Sequence, residues 1–400
     1  MKKKILIVAS GLPRPVKGGT ALRFERLFKV LSEDFDLYFA VRLKDNIDKS
    51  NIKLNKDIFK EIIFIEEPRP NFFKKIKIVF NAFINKVPPQ CYSMYFNKLS
   101  NEIVNFLNTN NIDAIHYDHL EYGFYYKDLK NYDCKHVLVV DDIVSDRYLE
   151  ERNNSNNILE KIFNNITYKM YKVYEKRIIK EFNNIITVSN LNYNRIKKIN
   201  NCNLSIVENG ADIQSKYISK EINNTVNIMF LGNLEYKPNS DAAKFLLNEV
   251  VPLLNKDNIS YKLFIIGDKA SINIKKFESD NIKITGFVED LDFYYNKCDI
   301  MVAPIFSGGG TRTKILESMA KGTVVISTNK GCEGINNIVD GKNILIANNA
   351  KEFVEKISFC INNKSITKDI ELNAYNMVKN EYDWNVIGKK MSGFYKKLLN

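Results

Sequence analysis

Short apolar runs recur along the chain, separated by stretches with helical spacing. The first series is Lys4–Ser10 (KILIVAS), Asp36–Arg42, Glu61–Glu66, Ala114–Asp118, His136–Asp142, Asn184–Ser189 and Leu204–Gly210. Several are apolar almost throughout rather than alternating, as in strands covered on both faces of a parallel sheet. Seven such strands with helices between them predict one doubly wound parallel sheet. A polar, irregular stretch, 213–225, follows as a linker. A second series then begins: Val226–Gly232, Tyr261–Gly267, Ile282–Phe287, Asp299–Ile305, Thr323–Asn329 and Asn343–Ala347. The expected fold class is therefore α/β, with two Rossmann-like domains over 1–212 and 226–384. Ligands of such sheets bind beyond the strand C-termini, so a cleft between the two domains is expected to hold them.

One stretch in the second series carries chemistry, Ala303–Gly322 (APIFSGGGTRTKILESMAKG). A strand runs into Gly308, Gly309 and Gly310, and a helix is expected from about Thr311 to Lys321. Glycines let backbone N–H groups come close to a ligand, and a helix start favours phosphate through its unpaired N–H groups and dipole. Arg312 and Lys314 add positive charge, expected in the first turn. Glu317 lies about 9 Å further along a helix axis and shares a face with Thr311 and Lys314. A nucleoside diphosphate fits this pattern, with its phosphates at the turn and its ribose hydroxyls at Glu317. A surface helix after a loose loop, with Glu317 solvated, is the competing reading of the residues alone.

GGGTRTKILESMAKGTVVIST resembles the nucleotide-sugar motif of the group 1 (family 4) retaining glycosyltransferases, which have the two-domain GT-B fold. The resemblance is strong over Phe230–Ile346 and weak before Ile206. It implies that Glu317 binds the ribose, and that the Gly308–Thr311 amides, Arg312 and Lys314 stabilise the leaving diphosphate. FLGNLEYKPNSDAAKFL (Phe230–Leu246) resembles the subgroup with Asn after the glycine, which points to Gly232, Asn233 and Lys237 around the donor. Phe287 and Val288 would lie against the base. The Gly18–Gly19 loop would face the cleft, and Asp118 or His119 would contact the donor sugar. Helix 385–400 would pack back on the first domain. Two departures stand out. Many members carry an arginine where this chain has Asn233, a loss that Arg312 and Lys314 are suited to make up. Many also carry a glutamate near the donor sugar where this chain has Gly309.

Composition narrows the partners. The chain has 400 residues, 45% apolar, with 59 Lys+Arg against 47 Asp+Glu and a formal charge of +12. A basic balance suits phosphates or an anionic membrane. The charges are dispersed and no RNA- or DNA-binding motif is present, so nucleic acid is not expected. The six cysteines form no CxxC pair, and Cys298 and Cys360 read as buried free thiols. Asp141-Asp142 alone is too weak a signal for a metal, and neither metal nor cofactor is expected. No apolar run is long enough to span a bilayer, so a cytoplasmic protein, soluble or peripheral, is expected. Residues 70–92 mix Phe72, Phe73, Ile76, Val79, Phe80 and Phe83 with Lys74, Lys75, Lys77 and Lys86. Two readings are open for them: an interfacial helix on anionic lipid, or an amphipathic helix packed on its own sheet. Residues 146–183 read as helical, with Tyr168, Met170, Tyr171, Val173, Tyr174 and Ile178 as core. His136 reads as structural.

The leading expectation is a retaining glycosyltransferase that moves a sugar from a nucleotide-diphosphate-sugar to a glycan or lipid-linked acceptor, in cell-surface polysaccharide or glycolipid synthesis. Its catalysis would rest on positioning and charge stabilisation. Two alternatives stay open: a sugar-nucleotide epimerase of the same architecture, and a non-catalytic glycan- or lipid-binding subunit.

Overall fold

KILIVA forms strand β1 (Lys4–Ala9), in which Ile5 to Val8 are wholly buried, so both faces of the strand are covered. A computed structural model of the chain describes residues 2–16, 19–43, 49–67, 71–155, 157–214, 217, 220, 225–308 and 311–400. Gly18, Gly309 and Gly310 of the expected site lie outside the described residues. The chain divides into two units, one of Met1–Asn209 with Trp384–Asn400 and the other of Gly210–Asp383.

In the first unit β1 pairs in parallel with β2 (Asp36–Leu43) and β4 (Ala114–Tyr117). With β3 (Glu61–Glu66), β5 (Lys135–Val140), β6 (Asn184–Thr187) and β7 (Asn203–Ile206), the described strands make a seven-stranded sheet in the order β3-β2-β1-β4-β5-β6-β7. The order reverses between β1 and β4, which opens a crevice at their C-terminal ends. One face is covered by helix α1 (Gly19–Asp34) through Phe24, Leu27, Phe28 and Leu31, and by the terminal helix Trp384–Leu399 through Ile387, Met391 and Tyr395. These two helices approach closely because Gly388 has no side chain: a Cβ there would lie 2.6 Å from the Cβ of Val30.

Two helices depart from the sequence expectation. Helix α2 (Phe72–Ile84) does not lay its apolar face on the sheet: Phe73, Phe80 and Phe83 are 79%, 65% and 74% exposed. The packed reading therefore fails for the phenylalanine face of Phe72–Ile84, although Ala82, Val87 and Cys91 of the same segment are buried. The 146–183 segment is two helices, α3 (Val144–Asn154) and α4 (Ile158–Glu181). Tyr171, Tyr174 and Ile178 of α4 are buried as expected, but Val173 is exposed, as are Ile158, Leu159, Ile162 and Phe163 before it.

The second unit repeats the plan. Strands β8 (Val226–Leu231), β9 (Tyr261–Ile266), β10 (Ile282–Gly286), β11 (Ile300–Ala303), β12 (Val324–Ser327) and β13 (Leu345–Ile346) form a parallel sheet in the order β10-β9-β8-β11-β12-β13. The order here reverses between β8 and β11. Helix α5 (Lys237–Phe245) follows β8, and α6 (Thr313–Ala320) follows β11. Cys298 and Cys360 are buried free thiols. Among the described residues no helix is long and apolar enough to cross a membrane.

The Gly388–Val30 approach makes a stability prediction. Gly388→Val should destabilise the first unit by roughly 1–3 kcal/mol through overpacking. A urea titration followed by circular dichroism checks this, with an unchanged midpoint as the contrary result.

Candidate functional site

At the second unit's reversal point, the chain leaving β8 meets the chain leaving β11. Gly308 has φ +89, a conformation that favours glycine, and a Cβ there would lie 2.8 Å from Tyr236 Oη and 3.0 Å from Arg312 Nη2. The β11–α6 turn is thus pressed onto the β8–α5 loop. Gly232 is equally confined, because a Cβ would meet the Asn239 side chain at 2.6 Å. Asn239 joins the two loops: its Nδ2 donates to Asn233 O (3.0 Å) and its Oδ1 accepts from Lys314 Nζ (2.8 Å). Lys314 Nζ also donates to Leu231 O (2.7 Å) and lies over the Phe230 ring. Gly232, Asn233, Gly308, Arg312 and Lys314 therefore form one cluster of touching groups.

Helix α6 begins two residues later than the sequence suggests. Arg312 has extended backbone at the N-cap instead of standing in the first turn, and its Nη2 donates to Ser307 O (3.1 Å). Thr311 precedes the helix and is buried, its hydroxyl directed at Gly334 O. The face expected to join Thr311, Lys314 and Glu317 is thus helical only from Lys314 to Glu317. Glu317 is not solvated: burial raises its pKa, and it accepts a hydrogen bond from Tyr295 Oη (3.3 Å). Burial, with the nearby charge of Arg312, pulls Lys314 down to about 7. Lys237, at the start of α5, pairs with Asp241 (2.9 Å). Val288 packs in the same apolar cluster as Tyr295 and Ile315, while Phe287 is 74% exposed.

The first unit's reversal point holds His116 and His119. Asp118 and His119 follow β4, and His119 adopts φ +74, unusual for a residue with a side chain. Its ring is clamped by two carboxylates, Nδ1 at 2.9 Å from Asp141 Oδ2 and Nε2 at 3.3 Å from Asp118 Oδ2. Burial opposes the charged ring, but Asp141 and Asp118 outweigh it and push its pKa up to about 10. His116 bridges Asp118 Oδ1 (3.1 Å) and Tyr395 Oη (2.6 Å). His136 takes part in the packing of Tyr117, whose hydroxyl lies 2.9 Å from its Nδ1. Gly19 begins α1 with open space where a Cβ would stand.

Some residues of these clusters were not singled out from the sequence. In sequence Asp141 is half of an acidic pair, yet in the structure it is the closer carboxylate on His119; its place at the end of a strand beside β4 is the available signal. Tyr236 and Asn239 lie within the 230–246 motif and show their role only once the two loops meet. Nothing in the sequence singles out Tyr295. Among the described residues no group of three or more His, Cys, Asp or Glu side chains is arranged to hold a metal ion.

Residues 225–363 match the family model for glycosyl transferases group 1. An uncharacterized glycosyltransferase of Methanocaldococcus jannaschii is 25% identical over 430 aligned positions, covering 100% of each chain. Among solved structures, sucrose-phosphate synthase of Thermosynechococcus elongatus superposes with a TM-score of 0.74 at 14% identity, covering 99% of each chain. Anabaena HepE, solved with UDP-glucose, superposes with a TM-score of 0.68 at 14% identity, covering 98% of this chain and 99% of that one. The chain shares the fold of these GT-B proteins, two parallel-sheet α/β units in series.

The clamped imidazolium predicts a pH dependence. His119 is raised from its ordinary 6.5 to about 10, so its stabilising effect is full below pH 6.5 and is lost as pH rises through 10. His119→Gln should therefore cost more stability at about pH 6, roughly 1–3 kcal/mol, than at about pH 10. Urea denaturation at both pH values checks this; an equal loss at each would contradict the pairing.

Proposed function

We propose that this chain is a retaining glycosyltransferase that takes its sugar from a nucleotide-diphosphate-sugar, with a glycan or lipid-linked acceptor in cell-surface polymer synthesis. The observation that carries the reading is a pair of half-buried ionisable groups beside the Gly308 turn that form no ion pair among the described residues: Lys314, held by Leu231 O and Asn239 Oδ1, and Glu317, held by Tyr295 Oη, with burial keeping Lys314 below and Glu317 above their usual pKa. Groups desolvated in this way gain when a ligand supplies the missing partners. Ribose hydroxyls would donate to Glu317, and the diphosphate would stabilise the charged form of Lys314. Arg312, at the start of α6, would add to the stabilisation of charge developing on the leaving group. Protein groups thus meet the diphosphate charge, and the proposal calls on neither cofactor nor metal. The HepE complex with UDP-glucose supports a uridine diphosphate donor.

The test is direct. UDP should bind as followed by calorimetry, and Glu317→Ala should weaken it about ten-fold, the scale of a lost charge-assisted hydrogen bond, with the circular dichroism spectrum unchanged. Turnover of UDP-glucose should release UDP. Undiminished affinity in the variant would remove the ribose assignment.

The exposed face of α2 supports attachment to the inner face of an anionic membrane. Phe72, Phe73, Phe80 and Phe83 project from a helix that also carries exposed Lys75 and Lys77, a pairing suited to acyl chains below and lipid phosphates beside them. Phe73→Ser with Phe80→Ser should cut flotation with phosphatidylglycerol vesicles about ten-fold or more. Flotation that is unaltered by the pair, or insensitive to salt, would rule out this attachment.

A further inference from the structure

A cavity of about 270 Å³ lies at the reversal point of the first unit, bounded by Ser10 beyond β1, by His119 and Glu121 beyond β4, and by Asp141, Asp142 and Arg147 beyond β5. Open α/β sheets bind ligands at this place. The volume falls just below the roughly 300–1,000 Å³ of drug-sized sites, which leaves room for one sugar ring.

Its charge pattern is specific. The positive charge of His119 is already engaged by Asp118 and Asp141. Glu121 faces the cavity, yet among the described residues its carboxyl forms no ion pair and no hydrogen bond to another residue's side chain. Burial raises its pKa, Asp141 adds to the rise, and His119 and Arg147 oppose it. The donor this carboxyl finds within the protein is its own backbone N–H, so its remaining lone pairs are open to a ligand that brings O–H groups. Three carboxyls, Glu121, Asp141 and Asp142, face the cavity against the two cations His119 and Arg147, so an additional negative charge is unwelcome there.

We propose that this cavity is a subsite for the sugar that receives the transferred group, that it takes an uncharged ring through hydroxyls donated to Glu121, and that it turns away acidic sugars. The proposal rests on the transferase reading for the word "receives", but the binding itself does not require a donor. Glu121 is thus a specificity residue, distinct from the second-unit residues that meet the diphosphate.

Saturation-transfer NMR tests it on the full chain without nucleotide, at about pH 8, with methyl glucoside, methyl galactoside and methyl glucuronoside as probes. At least one neutral glycoside should receive saturation, and the glucuronoside should bind at least ten-fold more weakly. Glu121→Leu should weaken the neutral glycoside about ten-fold. Glu121→Gln keeps an accepting oxygen and loses the charge, so it should hold the neutral glycoside within about three-fold while narrowing the discrimination against the glucuronoside. A purely structural role for Glu121 would not move that ratio. The subsite is overturned if no neutral glycoside binds, if the glucuronoside binds as well as the neutral sugars, or if the Gln variant leaves the ratio unchanged. Calorimetry with UDP on the same samples separates this failure from that of the donor site: intact UDP binding with absent glycoside binding sinks the subsite alone.

Discussion

The second unit depends on backbone approaching backbone at the crest of its sheet. A Cβ on Gly267, after β9, would lie 1.8 Å from Gly232 O, so the two strand ends nest only because Gly267 has no side chain. That nesting fixes Gly232 against Asn239, and Asn239 in turn holds both Asn233 O and Lys314 Nζ. The position of the lysine on α6 therefore follows from glycines on β8 and β9, outside the stretch that carries the charge. Gly308 completes the arrangement by letting the β11–α6 turn touch Tyr236. Side chains in these places would force the loops apart by ångströms, and the polar groups would no longer converge.

The two reversal points treat charge differently. At the first unit's crest, His119 sits between Asp118 and Asp141, and Arg23 beneath them donates to Glu208 O (2.9 Å) and Asn209 Oδ1 (2.6 Å). Opposite charges there meet within the protein, and the carboxylates of Asp118 and Asp141 stay below their usual pKa despite burial. At the second unit's crest, Glu317 and Lys314 are desolvated without such partners, and both shift toward neutrality. A compensated cluster fixes geometry; an uncompensated one is the signature of a place where a ligand completes the electrostatics. Glu121 belongs to the second kind although it borders the first, which is what sets it apart from its carboxylate neighbours.

Much of the fold was legible because parallel strands buried on both faces leave unbroken apolar runs, and each of the thirteen runs coincides with a strand of the two sheets to within a few residues. Helix boundaries were less legible. The GGGTR stretch reads as a helix start at Thr311, but Arg312 is extended and the helix begins at Thr313. Exposure was the least legible property. The spacing of Phe72, Ile76, Val79, Phe80 and Phe83 is that of a core helix, and only the fold shows that no part of the described chain covers that face. Partnerships between loops, such as Tyr236 with Gly308 or Asp141 with His119, require the strand order, which periodicity does not contain.

The strand order also gives physical sense to where the charge and the turn at this crest come from. Asn233 stands on the loop after β8, where its Oδ1 accepts from Glu235 N (2.9 Å) and shapes the turn. Arg312 stands on the loop after β11, with its Nη2 3.0 Å from where a Cβ on Gly308 would be. These strands are neighbours in the sheet, and the Gly308 turn touches Tyr236 and Pro238 of the opposite loop. The guanidinium of Arg312 therefore enters the space above β8 and β11 from the β11 side, while the β8 side contributes the Asn233 turn and, through Asn239, the anchor of Lys314. The narrow gap at Gly308 is what brings these two contributions together.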